Sequence, residues 1–301
     1  MNGFPKISIV TPSFNQGEFL EKTILSVLDQ NYPNLEYIII DGGSTDNSID
    51  IIKKYQHRLT YWKSEKDNGQ YDAINKGFKY ATGEIFGFLN SDDIYYPWTL
   101  ATLVSLFESQ KSVDWVTSLS VTQLNAAGVV FAKGTLAPIS SKAFLDGLYI
   151  PGKFGFGVIS QEGTFWRSSL WYKAGGINLN YKLAGDFDLW CNFMKYSLPY
   201  SLELPLAAMT RHQDQRSNQH VQYINECEIA LTELNLSFNL KKRFKDTFRI
   251  SLLKILPNNR IFWSVFKYVY SYKCKVINPF FNDESFELKW IVSDMLIYNR
   301  K

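Results

Sequence analysis

Residues 37–46 read Tyr37-Ile38-Ile39-Ile40-Asp41-Gly42-Gly43-Ser44-Thr45-Asp46. A short β-branched run stops at a carboxylate, two glycines and three small polar residues, the pattern of a strand handing over to a helix through a tight turn. The same alternation extends on both sides. Upstream, 7–10 reads as a strand, and Leu20, Ile24, Val27 and Leu28 fall at i, i+4, i+7 and i+8, an amphipathic helix ended by Asn31-Tyr32-Pro33. Downstream, 49–55 is a helix and 59–63 a strand. The stripe Ile74, Gly77, Phe78, Ala81 is a helix stopped by Gly83. Residues 85–89 form a buried strand ending at Asn90-Ser91-Asp92-Asp93, and Leu100, Leu103, Val104 and Phe107 mark a further helix. This order predicts a mainly parallel sheet covered by helices. Polar turns at 11–17, 41–46 and 90–93 then follow the carboxyl ends of three strands, the edge at which open α/β sheets bind ligands.

From about 114 to 165 the pattern changes to short strands with turns such as Ala126-Ala127-Gly128, consistent with a mixed or antiparallel extension, and a helical run follows Asp186. Beyond about 222 the chain reads as helices broken at Pro257-Asn258-Asn259 and near Pro279. The expected organisation is a catalytic domain over 1–222, with halves at 1–110 and 111–222, and a basic, aromatic-rich helical region over 223–301.

With 301 residues, 46% of them hydrophobic, the chain can bury one large core or a core with a smaller appendage. The 16% aromatic content fits either a stacking-rich cleft or a surface that meets lipid. Cys191, Cys227 and Cys274 lie far apart, which suggests neither a disulfide framework nor a zinc site. No apolar stretch approaches the roughly 20 residues that span a bilayer, and the chain enters a strand almost at once, so a soluble or peripheral cytoplasmic protein is expected. The net charge of +3 conceals an asymmetry: ten Lys and Arg residues lie within 241–275 against Asp246 alone, interleaved with Phe244, Phe248, Phe262, Trp263, Phe266, Tyr268, Tyr270 and Tyr272. That composition suits an anionic membrane surface. It also suits an appendage whose aromatics pack on the catalytic domain. No nucleic-acid recognition motif accompanies the charge.

Four constellations carry chemistry. Adjacent carboxylates at a strand end, Asp92-Asp93, suit a hard divalent cation that also grips phosphate oxygens, although such a turn alone is more often a helix cap. Asp41, followed by glycines that let backbone approach a ligand, suits a base or ribose contact. Asp186 and Asp188, ahead of Leu189-Trp190, suit a general base or simply an N-cap and a first-turn dipole partner. Arg211-His212 sets a cation beside an imidazole, fit for phosphate contact. The chain has no GxxxxGK[ST], GxGxxG or GxSxG pattern, which excludes a P-loop, a dinucleotide fingerprint and a nucleophile elbow.

Taken in order, Ile7-Ser8-Ile9-Val10-Thr11-Pro12-Ser13-Phe14-Asn15, Ser26-Val27-Leu28-Asp29-Gln30, Ile40-Asp41-Gly42-Gly43-Ser44-Thr45-Asp46, Asp72-Ala73-Ile74-Asn75-Lys76-Gly77 and Asn90-Ser91-Asp92-Asp93 resemble the family 2 glycosyltransferases. The likeness covers roughly 5–220 and continues through Gln161-Glu162-Gly163-Thr164-Phe165-Trp166-Arg167, Gly175-Gly176 and Gly185-Asp186-Phe187-Asp188-Leu189-Trp190. It implies the Rossmann-like type A fold and inverting transfer from a nucleotide-diphospho-sugar to a glycan or lipid-linked acceptor, as in cell-surface polysaccharide synthesis, assisted by Mn²⁺ or Mg²⁺. Residue by residue, it implies that Thr11 and Asp41 line the nucleoside pocket, Asp92 approaches the ribose, Asp93 reaches the metal and Asp186 is the base. Arg211 is assigned to the donor phosphates. Two departures stand out. Gly42 occupies a position where many members carry a second acidic residue, often in contact with the base, so a uracil preference does not follow. Gly185 stands where many carry Glu, so the support of the base differs. A sugar nucleotidyltransferase and a non-catalytic nucleotide-sugar-binding protein are the rival readings. The first lacks its Gly-rich strand-one loop here, and retention of Asp93 with Asp186 opposes the second.

Overall fold

The computed structural model describes residues 4–151, 156–213, 215–216, 219–237, 271–282 and 287–298. The amino-terminal half is the expected alternation: β1 (Ile7–Ser13), α1 (Gly17–Leu28), β2 (Leu35–Asp41), α2 (Ser48–Tyr55), β3 (Tyr61–Ser64), α3 (Gln70–Phe78) and β4 (Ile85–Phe88). All four strands run parallel, and the register sets Ser13 beside Asp41 and Asp41 beside Ser64. One edge of the sheet therefore presents the ends of β1, β2 and β3 together.

The second half supplies β5 (Ile94–Tyr95), α4 (Thr99–Ser109), β6 (Trp115–Ser118), β7 (Ser120–Asn125), β8 (Val130–Thr135), α5 (Ser141–Leu145), β9 (Thr164–Arg167), α6 (Ser168–Ala174), α7 (Gly185–Phe193), β10 (Tyr200–Leu202), β11 (Ala207–Arg211), α8 (His220–Ser237), β12 (Ser271–Asn282) and β13 (Glu287–Tyr298). Among the described residues the main sheet has nine strands in the order β13-β12-β10-β6-β9-β4-β1-β2-β3, with β9 antiparallel between β4 and β6. A smaller sheet, β5-β11-β7-β8, stands beside it. This is the mixed central sheet flanked by helices that the pattern predicts.

The β-branched run of β2 is apolar throughout because both faces are covered. Ile38 and Ile40 join one core cluster with α3, while Tyr37 and Ile39 join the other with α1, α2 and α4. The aromatic content goes largely into the first cluster. Trp115, Trp166 and Trp190 are fully buried, with Trp190 ring centroids 5.7 Å from Trp115 and 5.8 Å from Trp166, and Phe193 packs within 5.6 Å of all three. Each such side chain contributes roughly 1.5–3 kcal/mol of burial, and together they fix α7 against β6 and β9. At the opposite end of the strands, Glu36 gathers Lys6 Nζ (3.2 Å), Ser8 Oγ (2.6 Å), Thr82 N (2.7 Å) and Thr82 Oγ1 (2.5 Å).

The carboxyl-terminal expectation needs correction. Beyond 222 the chain is helical through Ser237, but Ser271–Asn282 and Glu287–Tyr298 are paired antiparallel strands, and the first joins the main sheet in parallel with β10, Tyr200 opposite Lys275. Tyr272, Cys274 and Val276 are buried while Lys273 is exposed, a period-2 pattern that the basic and aromatic composition hides. Pro279 lies past the three residues of β12 that pair with β10, so its missing N–H costs that ladder nothing. The rest of the basic segment, 241–270, lies outside the described residues. No helix among the described residues is long and apolar enough to cross a membrane.

Candidate active site

A cavity of about 1260 Å³ opens over the strand ends. Its walls come from Pro12 and Ser13 at the end of β1, Gly42 after β2, Lys66 and Asp67 before α3, Asn90 to Asp93 after β4, Gln161 and Glu162 before β9, Asp186 on α7, and Arg211 and His212 at the end of β11. The turn after β4, residues 161–162 and the helix bearing Asp186 thus converge on one cavity. Asn90 ties the turn to α3 and to Gln161: its Oδ1 accepts Gln70 Nε2 at 2.5 Å and its Nδ2 donates to Gln161 Oε1 at 3.0 Å, while Gln161 Nε2 donates to the Phe88 carbonyl at 2.7 Å. Four side-chain oxygens of the lining, Ser13 Oγ, Gln16 Oε1, Asp186 Oδ1 and Gln215 Oε1, are shielded from solvent and have no hydrogen-bond partner. Buried oxygens left in that state cost about 1–3 kcal/mol each.

The two carboxylates after β4 both line the cavity but differ in their partners. Asp93 is 3% exposed, its Oδ1 accepts the Thr210 backbone N–H at 3.0 Å, and Thr23 Oγ1 donates to its carbonyl at 2.8 Å. Burial, then the nearby charges of Asp92 and Glu162, pushes its carboxyl well above the ordinary carboxylate range. It joins the turn to β11. The half-buried Asp92 instead meets His212, Nε2 to Oδ2 at 2.9 Å, and the imidazole is stacked on Phe19 at 4.6 Å. Asp92 and His212 thus set a carboxylate and an imidazole with donor atoms suited to a cation on the cavity wall, beside Asp93, which lines the same wall.

Two residues expected to line the nucleoside pocket, Thr11 and Asp41, are fully buried. Thr11 is fully buried, its Oγ1 3.1 Å from the Tyr37 hydroxyl, so the wall there is formed by Pro12 and Ser13. Asp41 is buried too. Its carboxylate accepts the N–H groups of Gly43 and Ser44 at 3.1 and 2.9 Å and the hydroxyls of Ser44 and Ser64 at 2.5 and 2.6 Å. It builds the turn, and only the neighbouring Gly42 reaches the cavity.

Asp186 falls in the first turn of α7 with Ala184 as the N-cap residue. It borders the cavity, and burial raises its carboxyl to about 6 against the opposing pull of the Phe187 backbone N–H and the Arg216 charge. Asp188, raised to about 6 chiefly by burial and then by Glu233, turns to Asn192 Nδ2 at 3.1 Å and does not line the cavity. Arg211 does line it, and its charge opposes the rise that burial imposes on Glu162.

The profile of Glycosyl transferase family 2 matches residues 8–126. An uncharacterized glycosyltransferase of Mycobacterium tuberculosis is 32% identical over 188 residues, covering 62% of this chain and 68% of the relative. The chain belongs to glycosyl transferase family 2. This family 2 glycosyltransferase is also 40% identical over 95 residues to a putative teichuronic acid biosynthesis glycosyltransferase, TuaG, of Bacillus subtilis, across 31% of this chain and 38% of TuaG. Among solved structures it resembles S. aureus TarS 1–349 in complex with UDP-GlcNAc, with a TM-score of 0.56 at 18% identity over 71% of this chain and 60% of that one. It also resembles the mannosyltransferase PcManGT from Pyrobaculum calidifontis in complex with GDP-Man and Mn²⁺, with a TM-score of 0.51 at 16% identity over 89% and 86%. These likenesses show the type A fold.

Three further residues at this site carry no clear signal in the sequence. Glu162 is buried on the cavity wall, yet in sequence it is one acid inside a motif block. His212 was grouped with Arg211, but no spacing rule ties it to Asp92, 120 residues away. Tyr71, whose hydroxyl donates to the Leu183 carbonyl at 2.5 Å, reads in sequence as a helix-face aromatic.

Proposed function

We propose that this glycosyltransferase moves a sugar from a nucleotide-diphospho-sugar to a hydroxyl of a glycan or lipid-linked acceptor in cell-surface polysaccharide synthesis, with inversion at the anomeric carbon. The observation that carries the reading is the pairing, across one cavity, of Asp92–His212 at the end of β4 with Asp186, whose Oδ1 has no partner. The teichuronic acid role in the name of TuaG supports the polysaccharide setting, and the sugar nucleotides named with TarS and PcManGT support the donor class.

Asp186 takes the proton of the acceptor hydroxyl while that oxygen attacks the anomeric carbon from the face opposite the diphosphate. The carbon–oxygen bond to the diphosphate breaks as the new one forms, and its electron pair leaves on the phosphate oxygen. A carboxyl held near 6 by burial is ionised at neutral pH yet basic enough to accept that proton. Arg211 opposes the growing negative charge. Among the described residues no cluster of three or more His, Cys, Asp or Glu side chains is arranged to hold a metal ion. The Asp92 carboxylate and the His212 imidazole, 2.9 Å apart, would nevertheless hold Mn²⁺ or Mg²⁺. A cation held there would supply positive charge to offset that of the diphosphate. We further propose that the basic segment 241–275 holds the enzyme to the anionic inner face of the cytoplasmic membrane, where a lipid-linked acceptor resides.

The test is incubation of the protein with Mn²⁺ and a panel of nucleotide sugars, reading slow donor hydrolysis and thermal stabilisation. At least one donor is expected to be hydrolysed and to raise Tm. A protein that binds sugar nucleotides without ever hydrolysing or transferring them contradicts the enzymatic reading.

A further inference from the structure

We propose that Asp67 reads the nucleobase of the donor, and that this base carries a ring N–H beside a carbonyl, as guanine and uracil do. The proposal rests on the donor reading above. In the order β4-β1-β2-β3, Asp92 after β4 is separated from Gly42 after β2 by two strand positions. At about 4.8 Å per strand that span is about 10 Å. A nucleoside whose diphosphate lies at Asp92 therefore extends along the strand ends toward β2 and β3. The wall it meets there is made by Pro12, Ser13, Gly42, Lys66 and Asp67.

At that end Asp41 is consumed by its own turn, and Asp67 is the carboxylate on the cavity wall. Its Oδ1 accepts the Gly69 N–H at 2.8 Å, which fixes the plane of the group. Its Oδ2 lies 2.9 Å from where a Cβ on Gly42 would stand, closer than a real Cβ tolerates. The Asp67 carboxylate fills the space that a side chain at 42 would take. The result is a carboxylate carried by the β3–α3 loop but presented at the end of β2. Burial raises its carboxyl above the ordinary value against the Gly69 N–H and the Lys76 charge, the condition of a partly desolvated acceptor short of donors.

An ionised carboxylate only accepts hydrogen bonds. Guanine offers N1–H and its 2-amino group side by side, and uracil offers N3–H. Adenine and cytosine present a ring nitrogen lone pair at the corresponding edge, which would face the carboxylate oxygens. A site built to bond an N–H rejects bases that lack it, because its own polar group is then left unpaired.

The experiment is calorimetric titration of the full chain with GDP, UDP, ADP and CDP in Mn²⁺, for the wild type, Asp67→Asn and Gly42→Ala. In the wild type GDP or UDP is expected to bind at least about tenfold tighter than ADP and CDP, and the comparison of the two decides between the bases. Asp67→Asn keeps an acceptor for the Gly69 N–H, so the turn survives. It is expected to weaken the preferred nucleotide about 10–100-fold while leaving ADP and CDP within about threefold. Gly42→Ala, which pushes on Oδ2, should weaken the same nucleotide. Four equal affinities in the wild type, or an unchanged preference in Asp67→Asn, overturn the assignment of Asp67 while leaving the donor reading intact. Failure of all four to bind overturns the donor reading and this proposal with it.

Discussion

Glu226 Oε2 accepts the backbone N–H of Ala184 at 2.9 Å, and those of Leu183 and Lys182 at 2.8 and 3.0 Å. A carboxylate on α8 thereby holds the loop that delivers Asp186 to the cavity. Position 185 cannot supply that support, because a Cβ on Gly185 would lie 2.7 Å from Tyr71 and 2.8 Å from Ile177. Glu226→Ala removes the acceptor of all three N–H groups. It should lower kcat about 10–100-fold through misplacement of the base, with the donor KM within about twofold and Glu226→Asp recovering part of the rate. Steady-state kinetics of the three proteins checks this, and a loss expressed in donor KM alone would contradict a positioning role.

Asp92 and Asp93 should separate cleanly. Asp92→Asn is expected to weaken Mn²⁺-dependent nucleotide binding by at least about tenfold at nearly unchanged Tm, since that carboxylate is the one beside His212. Asp93→Ala leaves the Thr210 N–H buried and unpaired, and should cost about 1–3 kcal/mol of stability. Nucleotide titration with and without chelator, beside thermal melts, gives both numbers. Metal dependence lost only in the Asp93 variant would reverse the assignment.

Glu36 makes a prediction about acid stability. Burial works against its ionisation, but hydrogen bonds from Ser8, Thr82 and Lys6 hold its carboxyl below the ordinary value. A depressed folded-state pKa contributes stability that is present above the unfolded value of about 4.3 and is lost as pH falls through the folded one. Glu36→Gln should therefore melt lower than wild type at pH 7, by about 2–3 kcal/mol, with the gap closing below about pH 4. A gap independent of pH would show that shape, not charge, is what the site uses.

The amino-terminal half was legible because its signals are local. Each strand is a compact apolar run ended by polar turn residues, and the motif blocks fall at those turns. What escaped are roles set by long-range contacts. Asp41 reads as a ligand-facing carboxylate until Ser64, 23 residues on, takes one of its oxygens. Nothing near Asp93 in sequence announces the Thr210 N–H that its Oδ1 accepts from β11, 117 positions away. Asp67 carries no motif of its own, and only the fold sets it against Gly42. The β12–β13 strand pair was misread because a weak alternation over Tyr272, Cys274 and Val276 lies next to ten cations whose composition dominates the segment.

The basic segment gives a prediction of a different kind. Because β12 pairs with β10, truncation would damage the sheet, and charge removal is the better probe. Replacing Lys241, Lys242, Arg243 and Lys245 by Gln should reduce co-sedimentation with anionic liposomes, each cation near such a surface contributing about 1 kcal/mol. High salt should do the same. Equal sedimentation with neutral and anionic vesicles would contradict electrostatic attachment.

The central claim, that Asp186 is the base of an inverting displacement, is tested most directly by the turnover of Asp186→Asn at saturating donor and acceptor. The amide keeps the shape of the side chain in the first turn of α7 but cannot take the proton. The account predicts a kcat lower by about 10²–10⁴, a donor Kd within about twofold of wild type, and loss of the wild-type acid limb, in which the rate rises with pH through about 6 as Asp186 ionises. A near wild-type kcat with that limb intact would contradict it.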